Sequence, residues 1–216
     1  MRGAFFLSQP GRYIELTAAV QSLAAGAGRS LARRIWHGRS PAPEALRKRA
    51  EQLARESPQL PGRVHQLGRF EDESALGALL ASLPADLSAA LRAQFEWYGC
   101  RGAGFHTDAH YDAVIFGAWC LAGPPREIAF GHLRVPCTPG DLVVFDPFQP
   151  HAVLDPGQAL YRREHYADAP ASVFAGFELE LSEPVRHRFG IGPVEPGAFS
   201  IGSATAVDAE TGRIVR

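Results

Sequence analysis

The chain has 216 residues, of which 46% are hydrophobic and 21% charged, and its formal net charge is -1. That is enough apolar material for one sizeable core, and it excludes a disordered or fibrous chain. The balanced charge disfavours nucleic acid as a partner, which asks for a clearly basic domain.

The first residues, Met1 to Leu7, make a short apolar run that breaks at Ser8-Gln9-Pro10-Gly11, too soon for a signal-peptide core. No run approaches the ~18 apolar residues of a membrane span. A cytoplasmic location is expected, and three cysteines (Cys100, Cys120, Cys137) without CxxC spacing agree with a reducing compartment. Residues 1–93 read as a mostly helical segment packed on the remainder of the chain. Leu16–Ala27 and Leu31–Trp36 are rich in Ala and Leu. Glu44–Glu56 carries strong helix formers between Pro43 and Pro58. Ser74 is placed to cap a helix over Ala75–Ser82, and Pro84 to open another reaching about Ala93. Between residues 29 and 69 lie ten basic residues against three acidic ones, either a solvated face or a docking surface for an acidic partner.

From Gln94 the texture changes. Seven short apolar runs are separated by Gly and Pro: Gln94–Tyr98, Gly104–Asp108, Ala113–Leu121, Glu127–Val135, Asp141–Asp146, His151–Leu154 and Ser172–Leu181. Runs of this length without helical spacers predict an all-β sandwich or barrel over residues 94–185. Residues 186–216 read as an extension, with a hairpin turning at Glu210–Gly212.

The chemistry-bearing stretch is Gly104-Phe105-His106-Thr107-Asp108. On a strand, alternate side chains share a face, so His106 and Asp108 point together. His151, after the Asp141–Asp146 strand and a Pro-containing loop, is the candidate third ligand. Two histidines and one carboxylate leave three positions of a metal open, which suits non-haem Fe(II). His110 and Asp112 repeat the H-x-D pattern and compete with the first pair. His132 is expected to be structural, unless a cupin-like ligand set of His106, Asp108 or His110, His132 and His151 applies. His37, His65, His165 and His187 carry no spacing signal. Trp97, Tyr98 and Trp119 are expected in the core or a pocket wall.

The H-x-D pair followed by Gly140-Asp141-Leu142-Val143-Val144-Phe145 and then His151 resembles the Fe(II)/2-oxoglutarate-dependent dioxygenases over residues 94–181. The resemblance implies a double-stranded β-helix (jelly-roll) barrel, here buttressed by the N-terminal helices. It implies His106, Asp108 and His151 as both catalytic and iron ligands. It also implies 2-oxoglutarate as co-substrate, released as succinate and CO₂ while a small molecule or peptide side chain is hydroxylated. Asp108 favours hydroxylation over halogenation, because related halogenases lack that carboxylate. The family anchors the far carboxylate of 2-oxoglutarate on a cation after the second histidine, which points to Arg162 or Arg163. Arg134 and Arg126 are alternatives, with Tyr98 as a hydroxyl donor. All but Lys48 of the 22 basic residues are arginine, so such an anchor is expected to be a planar guanidinium. Two rivals stand beside this reading: a cupin-like metalloenzyme that needs no 2-oxoglutarate, and a non-catalytic binding module. Neither the substrate nor the oligomeric state is legible.

Overall fold

The computed structural model describes residues 11–16, 23–26, 28–56 and 61–215. The fold is mainly β, with two facing antiparallel sheets and a small third one. The larger sheet runs, in spatial order, β1 (Arg12–Glu15), β4 (Arg34–Arg39), β11 (Asp141–Phe145), β8 (Val114–Ala122), β13 (Ser172–Glu180), β6 (Leu91–Cys100) and β5 (His65–Phe70). The second runs β10 (Leu133–Cys137), β9 (Arg126–Phe130), β12 (His151–Leu154) and β7 (Ala103–His106). The small sheet is β14 (Phe199–Ile201), β2 (Leu23–Ala25) and β3 (Arg29–Ser30). Of the expected jelly-roll barrel, the stacked antiparallel sheets are present, but they keep separate hydrogen-bond ladders and do not close into a barrel.

Strand alternation builds the layers. On β11, Leu142 and Val144 face the helices, while Val143 and Phe145 face the second sheet. On β8, Ile115 and Trp119 face the helices, and Ala118 and Cys120 face the second sheet. On β13, Val173, Ala175 and Phe177 go one way and Phe174 the other. Helices α1 (Glu44–Glu56), α2 (Glu73–Ser82), α3 (Ala85–Ser88) and α4 (Glu183–Phe189) cover the outer face of the larger sheet through Leu46, Leu53, Leu79, Leu87, Val185 and Phe189. The buttressing helices are thus present, and α1 has the predicted bounds.

Among the described residues, the N-terminal segment is otherwise not mostly helical. Arg34–Arg39 is a strand paired with β1 on one side and β11 on the other. Its Ile35 joins the inter-sheet core and its Trp36 the helix-covered core. A strand buried on both faces shows no period-2 pattern, which is why it reads as a helix. Leu23–Ala25 is also a strand rather than helix; residues 17–22 and 27 of that predicted helix lie outside the described residues. The run expected to be helical up to Ala93 stops at Ser88, and β6 starts at Leu91. The cap of α2 is Asp72, whose carboxylate accepts the Ala75 N–H at 2.8 Å; Ser74 instead donates to Asp72. Glu127–Val135 splits into β9 and β10 around Gly131, which has a positive φ of 57°. The C-terminal hairpin is present, with Val207 bridged to Ile214 and the Gly212 N–H bonded to the Asp208 carbonyl. It covers the exposed edge of β7, where the Phe105 N–H donates to the Ala209 carbonyl at 2.8 Å.

One buried ion pair joins the small sheet to the loop before β12. Arg29 donates to both carboxylate oxygens of Asp146, at 2.6 and 2.9 Å, with the two residues 3% and 0% exposed. Asp146 also accepts the backbone N–H groups of Ala32 and Phe148. Removing one partner of such a pair strands the other charge in the interior, at a cost of about 3–5 kcal/mol. Asp146→Ala should therefore lower the unfolding free energy by about that much in urea titration. Replacing both residues, as Arg29→Met with Asp146→Leu, should cost less than the single change.

Candidate metal centre

The two histidines meet because of strand register. His106 ends β7 and His151 begins β12, and they are directly opposed in the antiparallel pair. Opposed residues project to the same face with Cβ atoms roughly 5 Å apart. Their ring centroids lie 4.3 Å apart. Each ring is fixed by a carbonyl two residues back: His106 Nδ1 donates to the Gly104 carbonyl at 2.8 Å, and His151 Nδ1 to the Gln149 carbonyl at 2.9 Å. Those bonds place the proton on Nδ1 and leave both Nε2 lone pairs free, the state a metal ligand needs.

Asp108 arrives by a different route from the one strand alternation suggests. β7 stops at His106, so Asp108 sits in the following loop, held by its N–H to the Pro147 carbonyl at 2.8 Å. Its carboxylate lies 3.9 Å from His106 Nε2 and 3.5 Å from His151 Nε2. All three ligand atoms fall within 4.8 Å of one another. Two imidazoles and a carboxylate at these separations fit one divalent ion with bonds of about 2.1 Å. Burial, followed by the neighbouring His106, lowers the His151 pKa to about 4. The ring is therefore neutral near pH 7 and able to bind metal without first losing a proton.

The cluster opens into a cavity of about 530 Å³. Its floor is apolar, from Ala118, Ile128, Phe145 and Phe174. One wall is Tyr98, whose ring fills the space left by Gly176: a Cβ there would lie 2.4 Å from that ring. Tyr98 donates to the Glu96 carboxylate at 2.7 Å and lies 3.0 Å from the hydroxyl of Tyr111. Desolvation raises the pKa of both phenols, with the hydrogen bonds to Tyr111 and Glu96 adding to the rise at Tyr98.

The remaining sequence candidates separate clearly. His110 is exposed at the cavity mouth, its ring tilted against that of Tyr111 with centroids 4.0 Å apart, and Asp112 is exposed outside it, so the second H-x-D forms no cluster. His132 is exposed in the turn between β9 and β10 and takes no part. Arg162 and Arg163 are exposed beyond the outer face of the second sheet and do not line the cavity, because residues 163–166 form a 3₁₀ turn rather than a strand. Arg126 is buried but occupied: it pairs with Asp155, bonds the Pro170 carbonyl and lies over Tyr166. Arg134 bonds the carbonyls of Gln158, Gly131 and Ala159. Tyr98 does line the cavity. Sequence reasoning missed Tyr111, His65 and Arg63, which also line it. Arg63 comes from the lead-in to β5 and His65 begins that strand, whose mixed polarity gave no signal.

No family model matches the chain, and no curated protein matches it. Among solved structures, a prolyl-4-hydroxylase from Pseudomonas putida is similar over 72% of this chain and 94% of its own, at 17% identity and a TM-score of 0.41. A 2OG-Fe(II) oxygenase family protein from Burkholderia pseudomallei is similar over 79% and 73%, at 12% identity and a TM-score of 0.30. A cupin 2 conserved barrel domain protein from Salinispora arenicola is similar over 58% and 81%, at 13% identity and a TM-score of 0.29. These likenesses are distant, and the reading of the site rests on its own geometry.

Two outcomes are expected for the purified protein. His151→Ala and Asp108→Ala should each weaken Mn(II) or Ni(II) binding by at least about 100-fold in calorimetry, since the ligands outrank the surrounding shell whose loss alone costs 10–100-fold. In the metal-free protein, His151 takes up a proton near pH 6.5 when unfolded but near pH 4 when folded. Between those values the unfolded state binds more protons, so stability is full above pH 6.5 and falls as pH drops toward 4. The His151 contribution to that slope is at most about 1.4 kcal/mol per pH unit. It should disappear in His151→Gln when urea midpoints are compared from pH 7.5 to 5.

Proposed function

We propose that the protein is a mononuclear non-haem Fe(II) oxygenase on a jelly-roll plan that uses 2-oxoglutarate to hydroxylate a small molecule or a peptide side chain. The observation that carries this reading is the His106, Asp108 and His151 cluster facing a roomy, mostly apolar cavity. Three protein ligands leave positions for a chelating co-substrate and O₂, and the bound ion would supply activation of O₂ beside a mostly apolar pocket. The protein's own part is to aim both imidazoles, through the Gly104 and Gln149 carbonyls, while burial favours the neutral form of His151. The apolar floor would hold the aliphatic part of a substrate against the metal.

A second reading is favoured by one observation. Among the described residues lining the cavity, no lysine or arginine lies on its floor, where a dicarboxylate bound deeply would end. An oxygenase acting directly on its substrate, without 2-oxoglutarate, would need no such group.

Turnover separates the two. With Fe(II), ascorbate and 2-oxoglutarate, the first reading expects succinate above the level of a His106→Ala control, rising when a true substrate is added and returning to the metal-free rate with chelator. Oxygen uptake that tracks substrate, with no succinate formed, would replace it with the second.

A further inference from the structure

We propose that Arg63, at the mouth of the metal cavity, receives the carboxylate of the molecule that fills it, an inference that rests on the metal-centre reading above. Among the described residues that line the cavity, Arg63 is the one lysine or arginine. It is exposed and forms no ion pair or hydrogen bond with a described residue. The arginines that family resemblance pointed to lie outside the cavity or are occupied by Asp155 and backbone carbonyls.

The position of Arg63 is built. The preceding Gly62 donates its N–H to the Gly102 carbonyl at 3.0 Å and bridges to Ala103, the first residue of the strand that ends in His106. Gly62 has a φ of +87°, and a Cβ there would lie 2.6 Å from the buried Tyr161 hydroxyl. Both facts require glycine. The loop is thus locked beside β7, and Arg63 comes directly after it at the opening.

The tyrosine wall has no place for an anion. The Glu96 carboxylate can only accept, so Tyr98 gives it its hydroxyl proton and Tyr111 gives its own to Tyr98. What the tyrosines turn to the cavity is lone pairs. That wall repels a carboxylate and suits a ligand N–H or O–H. The floor is apolar. A ligand that matches all three surfaces has a carboxylate for Arg63, an apolar middle and a hydrogen-bond donor for the tyrosine pair. The carboxylate belongs either to 2-oxoglutarate or to the substrate, and both are met by the same guanidinium chemistry.

The test uses full-length protein loaded with Mn(II), whose affinity is measured first for each variant. Binding of 2-oxoglutarate and of 2-oxobutanoate, the same keto-acid head without the far carboxylate, is then compared in wild type, Arg63→Ala, Arg63→Lys and Gly62→Ala. A loss of about tenfold or more for 2-oxoglutarate in Arg63→Ala and Gly62→Ala, with 2-oxobutanoate unchanged and Arg63→Lys intermediate, supports the proposal and assigns the carboxylate to the co-substrate. If both keto acids ignore Arg63, the free amino acids are compared with their primary amides by thermal shift. Stabilisation by an acid but not its amide, lost in Arg63→Ala, supports the proposal and assigns the carboxylate to the substrate. Intact Mn(II) binding with no carboxylate probe dependent on Arg63, or with none bound by wild type, overturns it and leaves the metal centre standing. Wild type without Mn(II) affinity removes the metal reading and this inference together.

Discussion

The site depends on one constraint, the register of β7 against β12. In an antiparallel pair, a slip of a single residue turns every side chain to the other face. With the observed register, His106 opposes His151; slipped by one, Phe105 or Thr107 would stand there instead. The register is held from several sides. β9 pairs with the far side of β12, aligning Ala152 with Ala129 and Val153 with Ile128. The C-terminal hairpin closes the open edge of β7. The loop before β12 is pinned by the buried Arg29–Asp146 pair, and Gln149 of that loop donates to the Ala32 carbonyl while its own carbonyl orients the His151 ring. Segments far apart in sequence, around residues 29, 104, 149 and 209, thus converge on the placement of one imidazole.

That convergence explains which parts of the molecule are legible in the sequence. Amphipathic α1 and the alternating or Gly-bounded strands from β6 onward announce themselves by local pattern. The strand β4 does not, because it is buried on both faces and its meaning lies in partners more than a hundred residues away. The three candidate ligands were readable as residue types at suggestive spacing. The reason Asp108 points correctly was not: the strand alternation that pairs it with His106 on paper ends at His106, and a loop hydrogen bond to Pro147 replaces it. The same strand ending separates the two H-x-D pairs, since it removes His110 and Asp112 from the face they would otherwise share.

Arginine placement was the least legible feature. A chain with 22 basic residues offers many candidate anchors, and sequence distance from the second histidine selects poorly among them. Arg162 and Arg163 fall in a connecting turn because the segment between β12 and β13 is a long excursion over the outer face of the second sheet, where Tyr161 and Tyr166 stack 5.3 Å apart. Arg126, the most buried of the candidates, is held by Asp155 and Tyr166, so its charge stabilises that excursion.

The layout divides labour between elements. The three candidate metal ligands come from the second sheet and its loops, where hydrogen bonds to the Gly104 and Gln149 carbonyls fix both imidazole rings. Other polar groups that line the cavity include Tyr98 from the larger sheet, Tyr111 from the loop after β7, and Arg63 from the lead-in to the edge strand β5. An edge strand has one partner and tolerates change in sequence and length without disturbing the ladder behind it. Changes at residues 61–66 can therefore alter what enters the cavity while His106 and His151 stay opposed. Gly62 anchors that segment: its positive φ, its close approach to Tyr161 and its bridge to Ala103 tie the mouth to β7. The cluster set by sheet register and the mouth set by an edge strand are thus separate parts of the molecule, and a fold so divided can keep one while the other changes.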